Sequence, residues 1–263
     1  MITSMIFFPE KTFYERPSDY GFLFEDVSVN TEDRLRLHGW FLTGEKVGKD
    51  VPALGQKQAA AQPVLLFLHG NAGNISHRLF KAKGWIERGF HVFLMDYRGY
   101  GKSEGKIEHE EDLIRDAEAA LRWLVQHKKI PESRIILYGE SIGSAPAVRL
   151  GGERSFAALI LEAPFTSVYD LARTHYPFVP EMLLKDFEFS NISRIEELKC
   201  PLFILHGTAD EICPYAMAGE LFEKAPEPKS FFSIPNGTHN DLPLAAGEDF
   251  WTKPCEFVNR YLL

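Results

Sequence analysis

The stretch Gly139-Glu140-Ser141-Ile142-Gly143 directly follows the apolar run Ile135–Tyr138 and opens a helical stretch. A serine with glycines two residues before and after it suits a tight turn from strand to helix. The backbones approach so closely in such a turn that a Cβ at either flanking position has no room. The serine is then lifted into solvent at the N-terminal end of the helix. A strand before and a helix after make this pattern much more specific than a bare G-x-S-x-G.

Outward from that turn, short apolar runs recur at Val64–His69, His91–Asp96, Ala158–Glu162, Leu202–His206 and Ser230–Ile234. They are apolar throughout and bounded by Gly, Pro or Asp, the pattern of parallel strands covered on both faces. Helical stretches separate them. In Glu110–His127, the residues Leu113, Ala117, Ala120, Leu121, Leu124 and Val125 share one face at a period of 3.6. Ile75–Arg88, Tyr215–Lys224 and Phe250–Leu262 read as further helices. The alternation predicts an α/β fold around a mostly parallel sheet. Nearer the N-terminus, Phe24–Val29 and Leu35–Leu42 alternate apolar and polar residues, as an antiparallel pair turning at Glu32-Asp33 would. Gly44–Gln62, rich in Gly, Ala, Gln and Lys, reads as a surface loop. One interval breaks the rhythm. Between Glu162 and Lys199 lie Phe165, Tyr169, Tyr176, Phe178, Phe187 and Phe189 with Pro177 and Pro180. They predict a lid inserted at about 163–199 in a single domain spanning 1–263, with Tyr169, Tyr176 and Phe178 as substrate-binding candidates.

A serine nucleophile needs a base, and the base needs an acid to orient it. In the chain order Ser…Asp…His, the acid follows a later strand and the histidine one later still. Asp210 closes His206-Gly-Thr-Ala-Asp210 just past the Leu202–Leu205 run, and His239 closes Asn236-Gly-Thr-His239 just past Ser230–Ile234. Both fall at carboxyl ends of strands, where open α/β sheets bind ligands. Ser141, Asp210 and His239 are therefore the expected catalytic residues, with Glu140, Glu162 and Glu211 as weaker candidates for the acid. His69 and His206 each precede a glycine at a strand end and read as structural. Acyl transfer also needs donors for the developing oxyanion. Ile142 N–H, next after the nucleophile, is one; Asn71 or Ala72, in His69-Gly-Asn-Ala-Gly-Asn74, supplies the other.

Composition narrows the partners. The chain has 263 residues, 45% hydrophobic and 25% charged, which excludes a disordered, collagen-like or coiled-coil protein. With 29 basic against 37 acidic side chains the net charge is −8, and such a surface repels phosphate backbones and anionic lipid. Nucleic acid and membrane are thus not expected partners, whereas a small-molecule or acylated substrate is. Cys200, Cys213 and Cys255 are widely spaced without C-x-x-C, and read as three reduced thiols. No run approaches the ~18 apolar residues of a membrane span, and Met1–Phe8 lacks the basic start of a signal peptide. A cytoplasmic location is expected. Gly101-Lys102-Ser103 has the tail of a P-loop, but Asp96 stands where its leading glycine belongs, and His109-Glu-Glu-Asp-Leu113 lacks the second histidine of H-E-x-x-H. Neither metal nor cofactor is expected.

Taken together, His69-Gly-Asn-Ala-Gly-Asn, Asp96-Tyr-Arg-Gly-Tyr-Gly-Lys-Ser, Gly139-Glu-Ser-Ile-Gly, His206-Gly-Thr-Ala-Asp and Gly237-Thr-His239 resemble the α/β-hydrolase superfamily of serine hydrolases. The combination is similar to the abhydrolase-domain branch that includes protein depalmitoylases and bacterial esterases. The resemblance implies an eight-stranded, mostly parallel sheet flanked by helices, with Ser141, His239 and Asp210 as triad. The implied activity is hydrolysis of an acyl ester or thioester. A peptidase of the same fold and a non-catalytic binding module are the alternatives.

Overall fold

The apolar runs become neighbours in one sheet. The computed structural model describes residues 6–46, 62–178 and 180–262. Of the Gly44–Gln62 loop expected from composition, residues 47–61 lie outside them, while Gly44–Lys46 prolong a strand. The strands are β1 (Phe8–Pro9), β2 (Phe22–Asn30), β3 (Arg36–Lys46), β4 (Val64–Leu68), β5 (Ala72–Gly73), β6 (His91–Met95), β7 (Ile135–Glu140), β8 (Ala158–Glu162), β9 (Leu202–Gly207) and β10 (Lys229–Ile234). Eight of them form a sheet in the order β10-β9-β8-β7-β4-β6-β3-β2. From β10 to β6 neighbours run parallel; β3 and β2 are added antiparallel at the β6 edge.

The helices are α1 (Leu79–Ile86), α2 (Glu110–Gln126), α3 (Ser144–Glu153), α4 (Val168–His175), α5 (Tyr215–Lys224), α6 (Leu242–Ala246) and α7 (Asp249–Val258). Because successive strand residues face opposite sides, one sheet makes two cores. Val64, Leu66 and Leu68 pack with Leu113, Leu121 and Val148 of α2 and α3, while Leu65 and Phe67 pack with Trp85 of α1 and Trp251 of α7. This two-sided burial is why the inner strands lack a polar alternation. Two helices are shorter than their sequence pattern. Ile75–Arg78 is a 3-10 turn before α1, and α7 stops at Val258 rather than continuing to Leu262.

The order of the strands decides where a ligand can sit. From β4 the chain moves to β6 on one side, then returns to place β7 on the other. At such a reversal the carboxyl-end loops diverge and leave a crevice. The loops after β4 and β7 border it, with Leu68 registered against Gly139.

Two further segments brace this end. The two-residue strand β1 pairs with β5, inside the loop that follows β4, in the register Phe8 to Ala72. Asn74 Nδ2 adds bonds to the carbonyls of Glu10 (3.1 Å) and Thr12 (2.7 Å). The Asp96–Ser103 segment supports the same loop: Asp96 Oδ1 accepts from Ile75 N–H (2.9 Å) and Tyr100 donates to the Asn71 carbonyl (2.6 Å). Arg98, in the same motif, is buried and bound to Asp33, Asp112 and Asp116 at 2.8–2.9 Å.

Candidate active site

Ser141 carries φ +51°, left-handed backbone that is unfavourable by ~1–2 kcal/mol for a residue with a Cβ. The surroundings enforce it. A Cβ on Gly143 would stand 2.0 Å from the Leu68 carbonyl oxygen, and one on Gly139 within 2.8 Å of Gly143 O, Ala147 Cβ and Ser144 Cα. The two glycines thus let β7, α3 and the end of β4 close on one another. Ser141 begins a 3-10 turn that leads into α3. The N–H of Ile142 is therefore among the first donors of that helical run, which have no partner within it.

His239, in the loop after β10, places Nε2 3.1 Å from Ser141 Oγ and Nδ1 2.8 Å from Asp210 Oδ2. Asp210 sits in the turn after β9. Its Oδ1 accepts from the N–H groups of Ile212 (2.9 Å) and Cys213 (2.7 Å). His206 Nε2 adds a contact to Oδ2 at 3.2 Å and bonds the Cys213 carbonyl at 2.8 Å. Burial works against ionisation of Asp210, but hydrogen bonds from His206, His239 and the Cys213 N–H hold it well below the usual carboxylate range. Burial also works against a charged His239, yet the bond to Asp210 raises its pKa above the ordinary 6.5. The carboxylate side thus favours a proton on Nδ1, leaving the Nε2 lone pair for the serine hydroxyl.

In the loop after β4, several polar groups already have partners. Gly70 N–H donates to Glu140 Oε2 (2.9 Å), the Asn71 carbonyl takes the Tyr100 hydroxyl, and the Gly73 carbonyl takes Glu10 N–H (3.0 Å). The N–H groups of Asn71 and Ala72 are not among these bonds and remain the candidates from this loop. His69 is fully buried with Nδ1 2.7 Å from the Gly70 carbonyl. Burial, helped by the Arg78 charge, lowers its pKa to about 4, so it is a neutral fixture of the loop.

A family model described as serine aminopeptidase, S33, matches residues 59–192. The Arabidopsis thaliana α/β hydrolase domain-containing protein WAV2 is 33% identical over 270 residues, covering 95% of this chain and 83% of WAV2. The chain belongs to the α/β-hydrolase superfamily. Schizosaccharomyces pombe bem46 is also similar, 32% identical over 238 residues, 88% of this chain and 76% of bem46. The fold is shared with the Pyrococcus furiosus esterase Pf2001, at a TM-score of 0.77 and 21% identity over 97% of this chain and all of that one.

In this α/β-hydrolase the weaker acid candidates are elsewhere engaged. Glu140 and Glu162 both bind Lys81, and Glu211 Oε2 lies 3.4 Å from the His239 backbone N–H. The aromatic interval divides in two. Phe165, Phe187 and Phe189 are buried, with Phe7 packed edge-on to Phe187 and Phe189. Asn191 ties the interval to α3 through Ser144 Oγ (2.9 Å). Tyr169 packs half-buried against the core, whereas Tyr176 and Phe178 stand 62% and 96% exposed. His175 Nε2 bonds the Ile212 carbonyl (2.7 Å), fastening α4 to the turn that holds Asp210.

Sequence reasoning missed Cys213. Its thiol is 1% exposed and lies beside both His239 and Ser141. The available signal was its place three residues after Asp210, in the turn that cups the carboxylate. Burial raises its pKa, and it pushes Cys200 and Cys255 up to about 12. Buried protonated thiols are poor nucleophiles. Ellman's reagent should therefore leave the native protein almost unreacted while releasing three equivalents from denatured protein. A fast-reacting native thiol located at Cys213 by mass spectrometry would show that the Asp210 turn opens.

Proposed function

We propose that the protein is a serine hydrolase that cleaves an acyl ester or thioester through a covalent acyl-enzyme intermediate. The observation that carries this reading is the unbroken line from Ser141 Oγ through His239 to Asp210, at 3.1 and 2.8 Å. Ser141 Oγ attacks the carbonyl carbon while its proton passes to His239 Nε2. Asp210 stays ionised and stabilises the imidazolium. The oxyanion is held by Ile142 N–H and by Asn71 or Ala72 N–H. Collapse expels the alcohol or thiol, which takes the proton from His239. Water then gives a proton to His239 and attacks the acyl carbonyl, and Ser141 leaves with that proton. No step calls for a metal or an organic cofactor. Three unpaired cysteines suit a reducing compartment such as the cytoplasm.

The family model's description names an aminopeptidase, and that activity needs a carboxylate free to grip a substrate ammonium near Ser141. Pairing with Lys81 takes Glu140 and Glu162 out of that role, which leaves Glu211 beside His239 as the carboxylate a peptidase would have to use. Labelling by a fluorophosphonate with the modified residue located by mass spectrometry tests the reading. A panel of p-nitrophenyl esters beside an aminoacyl p-nitroanilide then separates esterase from peptidase. Absence of labelling at Ser141 sinks the mechanism.

The segment 163–199 is read here as a lid, and the exposed Tyr176 and Phe178 give it an apolar surface that needs no role in the core. Each buried methylene contributes up to ~0.8 kcal/mol, or about fourfold in kcat/KM. Ester kcat/KM should rise from acetate through butyrate toward octanoate and then level off. Tyr176→Ala and Phe178→Ala should lower octanoate turnover more than acetate turnover without shifting Tm. An equal loss at every chain length would remove both residues from the substrate site.

A further inference from the structure

Four charged side chains lie behind the nucleophile turn, and no step of the proposed reaction uses them. Glu140, just before Ser141, accepts from Arg78 Nε (3.0 Å) and Lys81 Nζ (2.6 Å). Lys81 also donates to Glu162 Oε1 (2.7 Å), and the other oxygen of Glu162 accepts from the Tyr138 hydroxyl (2.6 Å). Two carboxylates thus face two cations, all with side chains at most 15% exposed. Burial disfavours ionised Glu140, but Arg78 and Lys81 hold it well below the usual carboxylate range.

A buried ion cluster is by itself weak evidence for a stabilising role, so its outward contacts are the informative part. Two of them reach the loop after β4. Gly70 N–H donates to the same Glu140 oxygen that takes Arg78 Nε, and Arg78 Nη1 donates to the Ala72 carbonyl (2.7 Å). One guanidinium therefore grips the residue before the nucleophile with one nitrogen and the Asn71–Ala72 stretch with another. Gly70 N–H, turned toward Glu140, fixes the His69–Gly70 peptide just before Asn71. We propose that Arg78 and Glu140 are positioning residues that clamp the two halves of the oxyanion hole at a fixed separation, an assignment that rests on the serine-hydrolase reading above. The clamp sets Ile142 N–H against the N–H of Asn71 or Ala72, and neither charged side chain touches substrate. Oxyanion donors act by being aimed before the charge develops, and a misplacement of ~1 Å can lower the rate by ~100-fold.

The fork matters more than the charge. Lysine donates from a single nitrogen on a flexible stem, so it cannot hold the Glu140 carboxylate and the Ala72 carbonyl from two separate nitrogens in one fixed plane as the Arg78 guanidinium does. The test uses Arg78→Lys and Glu140→Gln in the full chain, with p-nitrophenyl butyrate as substrate and phenylboronic acid as a mimic of the tetrahedral intermediate. Active sites are counted by fluorophosphonate titration to its end point. Arg78→Lys should lower kcat per titrated site by roughly 10- to 100-fold. KM should stay within about twofold, and boronate inhibition should weaken by about the same factor as kcat. Glu140→Gln, which keeps an acceptor for Gly70 N–H, should fall between Arg78→Lys and the unsubstituted protein. A purely structural role would lower the titrated fraction or Tm and leave kcat per site alone, and that result for both variants overturns the clamp. If the unsubstituted protein does not titrate at Ser141, the hydrolase reading fails and the clamp with it.

Discussion

Ser141→Ala should lose both fluorophosphonate labelling and ester turnover, with kcat falling by ~10⁶, the scale seen when a triad nucleophile is removed. The substitution takes away only Oγ, the atom 3.1 Å from His239 Nε2. Alanine also tolerates the left-handed backbone at φ +51° about as well as serine does, so the fold should remain. Circular dichroism and Tm close to those of the unsubstituted protein would confirm that the loss is chemical. Turnover within tenfold of the unsubstituted protein would mean that the nucleophile lies elsewhere. The buried Cys213 thiol, beside the same histidine, is the residue to test next.

Asp210→Asn should lower kcat by ~10⁴ while leaving the protein folded. An asparagine Oδ1 can still accept from the N–H groups of Ile212 and Cys213, so the turn keeps its shape. The amide NH2 would then face His239 Nδ1 and favour a proton on Nε2, which cannot accept from Ser141. A change in pH dependence should accompany the loss. Only neutral His239 can take the serine proton, so kcat/KM of the unsubstituted enzyme should climb as pH rises through the His239 pKa. Asp210 holds that pKa above 6.5, and the ascending limb should lie correspondingly high. Without the carboxylate the imidazolium is less stabilised, so the residual activity of Asp210→Asn should rise at lower pH. A limb that stays in place would assign the titration to another group, and an unchanged rate would move the acid role to Glu211.

Much of this arrangement can be read from residues alone, because the informative signals are local. Glycines at 139 and 143 answer to atoms less than 3 Å from where a Cβ would stand, so the turn is written in residue type. Strands buried on both faces lose their polar alternation, which marks β4 and β6 to β9 as inner strands. Ser230–Ile234 reads the same way, yet β10 is the edge strand and only half-buried over most of its length. The order of strands across the sheet is not local, and only the packing reveals that β7 returns beside β4. The aromatic interval shows the same limit. Phe187 and Tyr176 look alike in sequence, but one meets Phe7 in the core and the other meets solvent. Nor does spacing announce that Arg78, 62 residues before Glu140, grips it. Glu140 reads from sequence as a spare acid, whereas its partners make it a structural anion.

The pairing of β1 with β5 bears on how the protein is handled at the bench. Residues 8–12 form bonds to the loop after β4 through Gly73 and Asn74. A version trimmed back to the first long strand, β2, would lose that brace together with the packing of Phe7 on Phe187 and Phe189. For an enzymologist, residues 8–12 thus belong in any trimmed version whose turnover is measured, because they hold the loop in which the second oxyanion donor is sought.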